Sequence, residues 1–150
     1  MKSMFETGAT TQILARLDRL TPDAPARWGK FTATKMLTHV NDAMRMALDD
    51  IQPAPRPSFL SNPLVRYLII HVAPFPKGAP TAPELLARGK DGATELDAER
   101  KTFRELLTRL AARSTSEQWP PHPAFGNLSC RDWGVLGYKH TDHHWKQFGI

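Results

Sequence analysis

Cysteine is almost missing from this chain. A single one, Cys130, stands among 150 residues, which excludes an internal disulfide framework and a four-cysteine zinc site. Long apolar runs are missing too. The best candidate, around residues 67–72, is far shorter than the roughly 20 residues that cross a bilayer. The opening Met1-Lys2-Ser3-Met4-Phe5-Glu6 has neither the apolar stretch nor the cleavage site of a secretory signal. There is no glycine-rich phosphate loop, no repeat at solenoid spacing and no stretch of convincing strand alternation. These absences lead us to expect a cytoplasmic protein without a membrane partner, with residues 1–150 forming one all-α domain.

The composition supports a packed core. Hydrophobic residues make up 41% and charged residues 23%, which argues against disorder. The net charge of +5 raises the question of nucleic acid, but the cations are spread out. Arg16, Arg19, Arg100, Arg104 and Arg109 alternate with acids, and no basic block forms, so a solvated basic surface is the reading we adopt.

Four stretches carry helical periodicity. Residues 3–20 put Ile13, Leu14, Leu17 and Leu20 on one face, and Ser3 with Glu6 has capping-box spacing; Gly8 weakens the first turn, so an ordered start near Thr10 is equally compatible. Pro22 ends this stretch. A second helix is expected from the N-cap Thr32 to about Asp50, burying Leu37, Val40, Met44, Ala47, Leu48 and Ile51. A proline-rich crossing over residues 52–92 follows, in which residues 63–72 could form a short apolar helix. A third main helix is expected over residues 95–113 with Thr94 as its cap and Leu96, Phe103, Leu107 and Leu110 inward. The fourth, residues 130–148, would be capped by Ser129 with Asp132 three residues on. Two helices before a long link and two after it read as a four-helix bundle with one crossover.

Six histidines are present. His140 and His144 are four apart, so they lie one above the other on a helix face shared with Trp133, Leu136, Gly137, Gln147 and Phe148. Two imidazoles facing a bundle interior must each find a partner or lose about 1–3 kcal/mol. A divalent metal satisfies both at once, and a third ligand leaves a coordination position open for chemistry. His39, at the edge of the second helix's apolar stripe, is the best third candidate. Against this stands the reading of all three as core histidines bonded to carbonyls or acids. His143 falls on the flank of the last helix, and His71 and His122 read as loop or pocket-lining residues. Asp42 and Asp142 could orient histidines, although surface carboxylates are the simpler reading. Cys130 sits where a helix dipole could lower a thiol pKa, or where a small side chain packs. The four tryptophans read as core or pocket wall. Imidazole ligands must be unprotonated, so metal affinity should fall below the free imidazole pKa of ~6.5.

His39 and the run His140-Thr141-Asp142-His143-His144-Trp145-Lys146-Gln147 together resemble the DinB-like superfamily. The stretch from Arg27-Trp28-Gly29-Lys30-Phe31-Thr32 to His39, the segment Pro123-Ala124-Phe125-Gly126-Asn127-Leu128-Ser129 and the loop over residues 76–83 are similar to an uncharacterised bacterial branch of it. The resemblance implies a four-helix bundle with a long connection after the second helix. It implies a divalent metal, nickel or zinc, on His39, His140 and His144. It further implies a small-molecule substrate, a low-molecular-weight thiol as cosubstrate and, often, pairing into homodimers. Thiol-dependent transfer to an electrophile and metal-assisted hydrolysis both remain open at this point. So does a non-catalytic binding bundle acting in stress response.

Overall fold

The structure is a computed structural model that describes residues 1–56, 59–78, 92–114 and 118–150, with Ala93 described by its backbone alone. Among the described residues it is all-helical, with five α-helices and no strand. The helices are α1 (Thr7–Leu17), α2 (Ala33–Ala47), α3 (Pro63–Tyr67), α4 (Ala93–Arg113) and α5 (Cys130–Gln147). α2 lies against both α4 and α5, while α1 and the α3 segment lie against α5. Residues 57–58 and 79–91 of the proline-rich crossing, including most of the loop at 76–83, lie outside the described residues.

The caps explain most of the boundaries. The Thr32 hydroxyl accepts the Lys35 N–H and starts α2, as expected. Ser129 and Asp132 form a full capping box at α5, each side chain accepting the other's backbone N–H. α1 departs from expectation, since Glu6 precedes it without a side-chain cap, and the Ser3 hydroxyl accepts from Phe5 instead. α4 starts two residues early. Gly92, at φ 143°, occupies the cap position and leaves Thr94 exposed in the first turn. The short apolar helix is present: Asn62 caps α3, Pro63 takes its first position, and a π-helical turn, Leu68–Val72, continues it.

Every residue expected in the buried stripe of α4 is buried, and Ile13, Leu17 and Leu20 around α1 are fully so. α2 goes further than its stripe, because twelve of its fifteen residues are buried, from Ala33 to Ala47 around the whole circumference. Several of its polar side chains find partners inside the protein. The Asn41 amide donates to the Glu99 carbonyl at 3.0 Å and to its carboxylate at 2.6 Å on α4. The enclosure of α2 overturns the surface reading of Asp42, which is fully buried and pairs with Arg45 at 2.7 Å. Close approach at α5 depends on Gly134: a Cβ there would sit 2.3 Å from the Ser3 hydroxyl and 2.6 Å from the Phe5 ring.

The long helices bury their large apolar residues. Those left exposed among the described residues are Met1 and a group on or beside the α3 segment, namely Phe59, Leu64, Tyr67, Leu68 and Val72. That segment is fastened to α5 by the Lys139 ammonium, which donates to the Ile69 and Ile70 carbonyls, and by His71, 2.7 Å from Asp132. No helix among the described residues is long and apolar enough to cross a membrane.

Candidate metal centre

α2 and α5 bring His39, His140 and His144 together, close enough to hold a metal ion. The Nε2 atom of His140 lies 3.0 Å from Nε2 of His39 and 3.2 Å from Nε2 of His144. Ligand atoms on a tetrahedral centre with bonds of 2.0–2.1 Å are about 3.3 Å apart, so the cluster is near coordination size. His39 reaches the interior from the edge of its stripe because α2 is buried on all sides. Phe31 stacks on the His39 ring at a centroid distance of 5.3 Å and meets His144 edge-on at 5.9 Å.

Gln147 settles one tautomer. Its amide Nε2 donates to the Trp28 carbonyl at 2.7 Å, so its Oε1 is the atom 2.8 Å from Nδ1 of His144. An amide oxygen only accepts, hence Nδ1 of His144 carries the proton and Nε2 presents a lone pair to the cluster. Gly29 makes the arrangement fit. Its φ is +79°, and a Cβ there would come within 2.7 Å of the Gln147 amide nitrogen. Sequence reading placed Gln147 on the right face but missed this role. The i, i+3 spacing to His144 was the available signal, while its second partner comes from a loop more than a hundred residues away.

The lone pair on His144 makes the cluster hard to satisfy with protons alone. If His39 donates to His140, two bare nitrogens, on His140 and His144, face each other at 3.2 Å. If His140 donates instead, Nε2 of His39 must be bare, and its protonated Nδ1 is buried with no hydrogen-bond partner. Burial opposes adding a further proton. It pushes the His39 pKa down to about 4 and that of His144 to about 3, and holds His140 well below the usual range. A cation would take all three lone pairs, which is the test that the donor set passes; the His39 Nδ1–H would stay without an acceptor.

The cluster opens onto a cavity of about 1300 Å³ lined by Trp28, Phe31, Phe75, Trp119 and Trp133 among others. Trp145, by contrast, is wholly core and donates to the Ile13 carbonyl at 3.0 Å. His143 stands on the cavity wall, edge-on to Trp28 at 5.6 Å, with its pKa lowered chiefly by burial. His122 is on the wall as well, yet it is held by protein alone. Its Nδ1 accepts from the N–H groups of Ala124 and Phe125, and burial pushes its pKa down to about 4. Asp142 turns away to Arg16 and Lys146 and orients no histidine. Cys130 donates its S–H to the Ser114 carbonyl at 3.1 Å, and burial raises its pKa, opposite to the dipole expectation.

A family model described as "Protein of unknown function (DUF1569)" matches residues 3–149. The chain belongs to this DUF1569 family. No curated protein and no solved structure matches. A three-histidine cluster on the wall of a largely apolar cavity is thus what this DUF1569 chain offers for chemistry.

Proposed function

We propose that His39, His140 and His144 hold one divalent cation, nickel or zinc, and that the protein catalyses thiol transfer to a small electrophile. We read α1, α2, α4 and α5 as a DinB-like four-helix bundle, with the α3 segment as part of its crossover. The observation that carries the proposal is the convergence of three Nε2 atoms, with that of His144 kept bare by Gln147. A divalent cation on three neutral imidazoles keeps its full charge and supplies the Lewis acidity that ionises a coordinated thiol or water near neutral pH.

The protein's own side chains do the rest. Gln147 and Phe31 fix the rings of His144 and His39, and aromatic side chains line the cavity beside them. His143, on the cavity wall with its ring 5.2 Å from that of His144, takes the proton of an incoming thiol. A thiol gives up its proton to an imidazole far more readily than water does, which favours a thiol nucleophile over water.

The test is thiol consumption by metal-loaded protein, measured with several low-molecular-weight thiols and model electrophiles. Turnover that requires metal and is lost in His140→Ala is the expected result. Failure of the loaded protein with every thiol would overturn the transferase reading.

A further inference from the structure

The cavity is much larger than the reacting end requires. At about 1300 Å³ it exceeds the roughly 300–1,000 Å³ of most small-molecule sites. Its extra room runs along the two helices that carry the histidines. On α2, Ala43 and Ala47 follow His39 at steps of four residues, so they lie on the same face and keep it low. On α5, Gly137 and Trp133 precede His140 on its face. Met46 and Trp133 are each seven residues from their histidines, which places them about 10 Å further along the helix axes. Trp119 and Phe125 line the cavity together with Trp133, and the Trp119 ring stacks on that of Trp133 at 6.4 Å.

The charges on the wall are of one sign. Lys30, Lys35 and Arg56 line the cavity, and no Asp or Glu does so among the described residues. Lys35 precedes His39 by one turn, and Lys30 adjoins the Phe31 that stacks on it, so two of the three cations belong to the histidine end.

We propose that the ligand of this cavity is an amphipathic acid. Its anionic head, a thiolate or carboxylate, sits at the three imidazoles, and a hydrocarbon tail about 10 Å long lies between α2 and α5. The head's position rests on the metal-site reading given above; the tail's does not. A cationic tail is refused, because the wall away from the histidines holds aromatic and aliphatic groups with Arg56 and, among the described residues, no carboxylate.

The experiment is a binding titration of zinc-loaded protein by calorimetry, with butyl, octyl and dodecyl thiols and the matching carboxylates. Metal content is measured on every sample. Affinity should rise roughly tenfold or more from butyl to octyl as methylenes are buried, and gain little more at dodecyl. Ala43→Phe should remove this gain while retaining zinc. An octyl thiol ending in an ammonium group should lose the gain on the wild-type protein, and this needs no variant. Equal affinities along the series in protein that retains zinc would overturn the proposal, as would a gain that survives the ammonium ending. A protein that binds no zinc yet shows the length dependence would keep the tail site and refute the metal reading.

Discussion

Two sets of buried or half-buried imidazoles occupy the same cavity wall and differ in what satisfies them. His122 lies in a tight turn, where its Nδ1 accepts two backbone N–H groups and its own backbone pairs with that of Gly126. Nothing further is needed to explain its burial. His39, His140 and His144 are just as enclosed, but their Nε2 atoms have chiefly one another. Protein partners account for the structural histidine, whereas the mutual approach of the other three is what our metal-site proposal rests on. The depressed pKa of His122 resembles that of His39, so it does not separate the two sets. Partners do.

The largest expected effect is on pH stability, and metal should split it between the two sets. His39, His122 and His144 have folded-state pKa values of about 3 to 4, well below that of an unfolded imidazole at ~6.5. The unfolded chain therefore binds more protons in that window. Stability of the metal-free protein should be constant above pH ~6.5 and fall by several kcal/mol as pH drops toward ~4. Denaturant melts at a series of pH values measure this, and His122→Phe should remove only its own share. The same burial bears on the pH at which metal is released. Protons compete poorly for buried ligands, so metal release should occur nearer pH ~4 than ~6.5.

Next in size, His122→Ala should cost about 2–3 kcal/mol, because it strands two N–H groups and leaves a hole, while metal affinity stays as in the wild type. Chemical denaturation with a parallel metal titration separates the two quantities. Gln147→Leu should behave in the opposite way, lowering metal affinity about 10- to 100-fold with a smaller change in stability. Gly29→Ala, strained at φ +79° and crowding the Gln147 amide, should lose about 1 kcal/mol of stability and part of the same metal affinity. The smallest effect belongs to His71→Asn, which removes a partly exposed pair with Asp132 and should cost less than about 1 kcal/mol with no effect on metal.

The two histidine sets were not equally legible in the sequence. His140 and His144 declare themselves by i, i+4 spacing on a helix whose start, Ser129 with Asp132, is also written locally. His39 was harder, because a stripe seen on one helix does not reveal that α2 is buried on every side. That same blindness put Asp42 on the surface. The cap of α4 was misplaced because Gly92 does by backbone conformation what Thr94 was expected to do by side chain. Gln147 and Gly29 form their contact only once the segment before α2 meets the end of α5, and no local pattern announces it. The cavity depends on small residues on two helices and on aromatic residues from loops, so its size was out of reach until those parts were assembled.

The central claim is that the three imidazoles form a metal centre and His122 does not. Elemental analysis of protein purified without an affinity tag tests it most directly, on wild type, His140→Ala and His122→Ala. The account predicts about one equivalent of nickel or zinc in the wild type and in His122→Ala, and none in His140→Ala. A wild-type protein that holds no metal after reconstitution, or a His140→Ala variant that keeps it, would contradict the account.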